Sequence, residues 1–158
     1  MSTELFIMRH GHAQSFSVRD ELRELSDQGV QEVELAVTRQ LDALQSVEKI
    51  IVSPFRRAQQ SADIVCKHLT KAKRENLDLI VPSGSPEKVI DYFYRRAQDE
   101  PLSSVMIVSH LPLVGLVLET LCDTEPGFYC MGTASLAAID VDEFAPACAQ
   151  LRWLKHTH

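Results

Sequence analysis

The sequence predicts an α/β fold, a three-layer α/β/α sandwich with a mostly parallel central sheet, and three observations carry that prediction. Short β-branched runs alternate with longer stretches of helical period, which is the pattern of a sheet covered on both faces. The run Val105 to Val108 is apolar throughout, as expected of a central strand buried on both sides. Three strands also end on chemically active residues: Phe6-Ile7-Met8-Arg9-His10-Gly11, Ile50-Ile51-Val52-Ser53 ahead of Arg56 and Arg57, and Val105-Met106-Ile107-Val108-Ser109-His110. Open α/β sheets bind ligands at the carboxyl edge of their strands, so two histidines and an arginine converging there predict an anion site.

The elements follow in order. Leu5 to Met8 is the first strand, and the polar residues from His12 to Glu24 form a loop. Ser26 caps a helix on which Val30, Val33, Val37, Leu41 and Leu44 return at steps of three and four. Ile50 to Val52 is the second strand. Pro54 stands near the first turn of the next helix, where a missing N–H costs little, and Ala58, Ala62, Val65 and Leu69 line one face of that helix. Lys71, Lys73 and Arg74 close it, favourably for the helix dipole, and Leu77 to Val81 is the expected third strand. Pro82-Ser83-Gly84-Ser85-Pro86 is a turn, and a helix from Glu87 to Gln98 carries Val89, Ile90, Phe93 and Ala97 on one side. After the strand Val105 to Val108, a largely apolar helix from Leu111 to Leu121 starts directly behind His110. Ser135 to Val141 and Ala149 to Trp153 close the sheet, at least one of them antiparallel.

No repeat, low-complexity tract or linker interrupts residues 1–158, which are expected to form a single domain. A chain of this size buries roughly two-thirds of its unfolded surface and needs no disulfide or structural metal. The 16 basic against 22 acidic side chains give a formal charge of -6, which disfavours nucleic acid or an anionic membrane as the main partner. Cys66, Cys122, Cys130 and Cys148 have no CxxC spacing and no signal peptide precedes the first strand, so reduced thiols and a cytoplasmic location are expected. No apolar run approaches the roughly 20 residues of a membrane span.

Within the first strand end, Gly11 lets the backbone turn sharply and lets an anion approach main-chain N–H groups. His10 offers a ring nitrogen that can attack phosphorus, and Arg9 a fixed fork of donors for phosphate oxygens. Ser53-Pro54-Phe55-Arg56-Arg57-Ala58 sets two arginines in the first turn of a helix, against the dipole; a bound anion compensates such a charge, and plain solvation accounts for one of the two. Ser109-His110-Leu111-Pro112 joins a buried strand to a helix, so that a phosphate beside Leu111 meets both the imidazole and helix N–H groups. A zinc site of His10, His12 and His110 lacks a cysteine or carboxylate ligand and sets a cation against Arg9 and Arg57, so neither metal nor cofactor is expected. His12 reads as a solvated loop residue, His68 as surface, and His156 and His158 as terminal.

Arg9-His10-Gly11, Ser53 to Ala58 and Ser109 to Pro112, in this order and over nearly the whole chain, resemble the histidine phosphatase superfamily, also called phosphoglycerate mutase-like. That resemblance implies His10 as the nucleophile that becomes phosphorylated, Arg9 and Arg57 as paired phosphate-binding arginines, and His110 as the second histidine of the pocket. The arginine immediately before the alanine carries over, so Arg57 is chosen and Arg56 fills a variable position. Larger members carry a helical lid after the third strand. Here the stretch from Pro82 to Ser104 has room for one helix and no large lid insertion, so the pocket is expected to be shallow and open, suited to a phosphoryl group displayed on a protein.

In length and detail the chain resembles the SixA-like phosphohistidine phosphatases. Arg23-Glu24-Leu25-Ser26 followed by Gly29 is similar to their Arg-Pro-Leu-Thr segment, with Arg23 implied as a further phosphate contact and Glu24 standing where they have proline. Met131-Gly132-Thr133-Ala134-Ser135 is similar to the segment that closes the pocket, with Thr133 as a donor near the phosphate. The resemblance implies an enzyme acting on a phosphohistidine-bearing protein, in particular a histidine phosphotransfer domain of a two-component relay. His10 is expected to be neutral, with its other ring nitrogen held by a backbone carbonyl, and His110 to serve as a donor or cation. No acid stands between Val81 and Pro86, and Glu87 and Asp91 read as capping or solvated residues. Imidazole, with a pKa of about 6.5, leaves as a stable neutral base once protonated, so a phosphoramidate makes little demand on an enzyme acid. The other readings are a broad-specificity phosphomonoesterase and a non-catalytic phosphoprotein-binding module. Whether Tyr92, Phe93 and Tyr94 dock a partner or pack the core is open at this stage.

Overall fold

Strand β1 (Thr3–Arg9) sends Leu5 and Ile7 to one face of the sheet and Phe6 and Met8 to the other, and all four are buried. Strand β4 (Ser104–Ser109) repeats the division, Val105 and Ile107 against Met106 and Val108. An apolar run without alternation thus feeds two cores, and each such side chain contributes on the order of 1.5–3 kcal/mol by leaving water. The computed structural model, which describes residues 2–157, completes these two cores with helices. Helices α1 (Asp27–Arg39), α2 (Leu41–Leu44) and α3 (Arg56–His68) bring Val33, Val37, Leu44, Ala58, Ala62 and Val65 to one face. Helices α4 (Pro86–Asp99) and α5 (Leu113–Cys122) bring Val89, Ile90, Phe93, Val114 and Leu118 to the other.

The remaining strands are β2 (Lys49–Val52), β3 (Lys73–Asn76), β5 (Leu136–Val141) and β6 (Ala149–Lys155), and the six-stranded sheet runs in the order β3-β2-β4-β1-β5-β6. β3, β2, β4 and β1 are parallel, β5 is antiparallel to β1 and β6 is antiparallel to β5. Val52 pairs with Val108, and Ser109 with Arg9, so β2, β4 and β1 end level with one another. Ser53, His110 and His10 leave the sheet side by side for that reason. A single helix, α4, stands between β3 and β4, and no large insertion covers the site.

Several expected elements differ. The third strand is Lys73–Asn76 and not Leu77 to Val81. As an edge strand paired only with β2 it has no need of apolar side chains, and its Arg74 and Glu75 form ion pairs with Asp63 (2.6 Å) and Arg96 (2.6 Å). Leu77 to Val81 is apolar because it packs under α4 and α5, with Ile80 buried and its carbonyl accepting from Ser109 Oγ at 2.6 Å. Lys73 and Arg74 therefore belong to the strand, and α3 closes on Lys67 and His68. The helix capped by Ser26, which accepts from Gly29 N–H at 3.1 Å, breaks at Gln40 before α2, and Val30 lies on the exposed side. α5 starts at Leu113, two residues later than expected.

Two histidines are also better held than their positions suggest. His68 pairs with Glu34 at 2.8 Å, and His156 Nδ1 meets the hydroxyl of buried Ser135 at 2.7 Å. His158 lies outside the described residues. Of the aromatic triplet, Phe93 stacks on Phe144 in the core, Tyr92 OH accepts from Arg96, and Tyr94 is the exposed member.

Candidate active site

The turn after β1 determines which nitrogen of His10 is free. Gly11 sits so close to α1 that a Cβ on it would fall 2.6 Å from the Gly29 carbonyl, and one on Gly29 would fall 2.0 Å from that of His12. Both positions require glycine for close approach rather than for a positive φ. The tight turn brings the Gly11 carbonyl onto His10 Nδ1 at 2.7 Å, where only a ring N–H can donate. Arg57 Nε–H donates to the opposite nitrogen, Nε2, at 3.2 Å. The imidazole is thereby fixed with its proton on Nδ1 and its lone pair on Nε2. Burial, followed by the charges of Arg57, Arg9 and Arg23, pushes the His10 pKa down to about 4 against the opposing effect of the Gly11 bond.

His110 stands beside it, ring centroids 5.0 Å apart, with Phe55 edge-on at 5.1 Å. Its Nε2 meets Ser53 Oγ at 2.6 Å, while its Nδ1 is buried without a hydrogen-bond partner. Burial, then His10 and the nearby arginines, pushes its pKa even further down than that of His10. The free site thus favours neutral His110, so of the two expected roles, donor or cation, the donor role is the one this geometry favours.

Arg57 lies in the first turn of α3 and is almost fully buried, and its Nη1 and Nη2 donate to the backbone carbonyl and the carboxylate of Asp20 at 2.8 and 3.2 Å. Arg56, its neighbour, is half exposed and paired with Glu24 at 3.0 Å. Each arginine has a carboxylate to offset the dipole, but only Arg57 touches His10. Arg9 Nη1 donates to the Met131 carbonyl at 3.0 Å, leaving its Nε unpartnered. Arg23 Nη1 reaches the Gln14 carbonyl at 3.4 Å, and its Nε forms a 3.0 Å ion pair with Asp20 that lacks hydrogen-bond geometry. Among the described residues four buried side-chain polar atoms have no hydrogen-bond partner, and Arg9 Nε, Arg23 Nε and His110 Nδ1 are three of them. The charges of Arg9 and Arg23 act on both His10 and His110, and an oxyanion accepts from free N–H groups in such a cluster, which fits phosphate chemistry.

Two expected contacts are different. Gly11 N–H donates to Ser61 Oγ at 3.1 Å and not toward an anion. Thr133 Oγ1 donates to Glu32 at 3.1 Å, so this hydroxyl braces a buried carboxylate. Leu111 precedes α5 and lines, with Gly115, Tyr129 and Met131, a mostly apolar groove of about 460 Å³ beside the site. His12 is anchored, its N–H on Glu32 at 2.8 Å and its Nδ1 on Ser26 Oγ at 2.7 Å. Glu87 accepts from Ser85 Oγ and Asp91 pairs with Arg95, both on exposed α4 positions. Asp20, Glu32 and Ser61 were not anticipated. Asp20 stands three residues before Arg23, the spacing of an ion pair on one turn, and Glu32 interrupts the apolar stripe of α1 beside Val33.

The model of the histidine phosphatase superfamily (branch 1) matches residues 5–79. The chain is 34% identical to phosphohistidine phosphatase SixA of Escherichia coli (strain K12) over 144 residues, 89% of this chain and 86% of that protein. It is 35% identical to a phosphohistidine phosphatase SixA homolog of Haemophilus influenzae over 125 residues, 74% of this chain and 76% of that protein. The solved structure of the protein histidine phosphatase SixA complexed with tungstate superposes with a TM-score of 0.87 at 30% identity, covering 98% of this chain and 97% of that one.

Proposed function

The chain belongs to the histidine phosphatase superfamily, and from that premise we propose that it removes the phosphoryl group from a histidine carried on a protein, through a phosphohistidine formed on its own His10. The observation that carries the reading is the fixed tautomer of His10, with Nε2 unprotonated beside Arg57. In the first step the Nε2 lone pair attacks phosphorus in line while the substrate P–N bond breaks and the departing imidazole nitrogen takes a proton from solvent water. Arg57 Nε–H, on the Nε2 lone pair in the free enzyme, moves to a phosphoryl oxygen, and Arg9, Arg23 and His110 donate to the others. Ser53 Oγ accepts from Phe55 N–H at 3.3 Å and lies 2.6 Å from His110 Nε2; in this reading its hydroxyl donates there, so that the proton of His110 stands on Nδ1, available to the oxyanion. Water then attacks the phosphorus of phospho-His10, the P–Nε2 bond breaks, and inorganic phosphate leaves.

The whole of residues 1–158 acts as one domain in this reading. The partner is a phosphohistidine-bearing protein, namely a histidine phosphotransfer domain of a two-component relay. The surface placement of Glu87, on Ser85 Oγ, and of Asp91, on Arg95, supports a substrate whose leaving group is imidazole and needs no carboxylic acid. The four free cysteines support a cytoplasmic setting, and among the described residues no helix is long and apolar enough to cross a membrane.

The test compares phosphate release from a phosphorylated phosphotransfer domain and from an alkyl phosphomonoester, by wild type and His10→Ala. Rapid, His10-dependent release from the protein alone is expected. Equal release from both substrates would indicate a general phosphomonoesterase, and release from neither a binding module.

A further inference from the structure

We propose that Asp20 is a specificity-determining residue, a built-in carboxylate that competes with small phosphate ions for Arg57 and Arg23. The inference rests on the reading of His10, Arg57 and their neighbours as the phosphate site. It starts from what Arg57 does with its donors. One N–H is on the nucleophile, one on the Asp20 carbonyl and one on the Asp20 carboxylate at 3.2 Å. The other carboxylate oxygen of Asp20 lies 3.0 Å from Arg23 Nε. A single anionic side chain therefore spans two cations that a phosphate would use.

The two sides of this contact differ in freedom. The Arg57 side chain is 4% exposed and that of Asp20 57%, and the 3-10 turn Asp20–Leu22 that carries Asp20 buries none of its residues. The guanidinium is fixed and the carboxylate can yield. A phosphate dianion entering beside it meets a like charge at close range, a repulsion that solvent around the exposed carboxylate reduces without cancelling. Free phosphate has only the site itself to offset that repulsion. A phosphoryl group carried on a protein also has the contacts of its carrier. Asp20 thus lowers affinity for free phosphate, the product included, more than it lowers productive engagement of the carrier.

A positioning role for Asp20 predicts the opposite sign, because loosening Arg57 and Arg23 would weaken anion binding. The test is calorimetric titration with inorganic phosphate of wild type, Asp20→Asn, Asp20→Ala and Arg57→Ala, each checked for an unchanged melting profile. Tighter binding by about tenfold in both Asp20 variants is expected, the size of one like-charge contact largely screened by solvent, with Arg57→Ala losing phosphate altogether. Unchanged or weaker binding in the Asp20 variants, with binding still dependent on Arg57, would overturn this inference and leave the proposed function standing. Binding that ignores Arg57 would overturn the phosphate site itself, and the role of Asp20 with it.

Discussion

Arg57 donates its Nε–H to Nε2 of His10 across 3.2 Å, from a buried position in the first turn of α3 to the end of β1. The contact holds the nucleophilic lone pair in place and sets a cation where charge develops on a transferring phosphoryl group. Replacing Arg57 by Ala is expected to lower kcat by about 10²–10³, the usual effect of losing one preorganised donor. Arg57→Lys should rescue little, because a single ammonium cannot serve His10 and Asp20 in the same plane. Steady-state turnover of a phosphohistidine protein checks both.

Arg56 provides the contrast. It is half exposed and paired with Glu24 on the surface, so Arg56→Ala should leave turnover within about twofold of wild type and change stability by less than ~1 kcal/mol. Parallel kinetics and denaturation curves for the two arginine variants separate their roles.

The depressed pKa values of the histidines set a pH dependence. His10, at about 4 in the folded chain, remains neutral where an unfolded histidine protonates near 6.5. His110 is shifted in the same direction. The unfolded chain therefore binds more protons below pH 6.5, and stability is complete above that value and falls as pH drops toward 4. For His10 the loss at pH 5 should be on the order of 1–2 kcal/mol. NMR titration of the ring should place the His10 midpoint well below 6.5, and the melting temperature of His10→Gln should fall less steeply with acid than that of wild type.

Gly29 controls the approach of the first loop to α1. A methyl group there would sit 2.0 Å from the His12 carbonyl, so Gly29→Ala should destabilise by about 1–3 kcal/mol and lower turnover by displacing Gly11 and the ring it holds. Urea denaturation and kinetics on the same variant test whether the two losses occur together.

What could be read from the sequence follows from how local each signal is. β1 and β4 are legible because strands buried on both faces are apolar without interruption, and His10 and His110 follow them directly. β3 was not, because an edge strand is specified by its partner, and Lys73–Asn76 has the charged composition of a surface while Leu77 to Val81 packs as a turn. The family resemblance, and no local pattern, points to Arg57 over Arg56, and only the fold reveals that Arg57 is the buried one. Asp20 and Glu32 stayed hidden for another reason. Asp20 meets Arg57 37 residues away and Glu32 meets Thr133 101 residues away, and no local pattern encodes such pairings. The donors expected to face an anion at Gly11 and Thr133 are instead taken by Ser61 and Glu32, partners 50 and 101 residues away.

The central claim is that phosphate passes through Nε2 of His10. The decisive experiment mixes wild type with a phosphorylated histidine phosphotransfer domain, quenches at alkaline pH within the first turnover, and locates the phosphoryl group by mass spectrometry and ³¹P NMR. A transient phosphoryl group on Nε2 of His10, absent from His10→Ala, is expected. Turnover by wild type with no phosphoryl group on His10, or unimpaired turnover by His10→Ala, would contradict it.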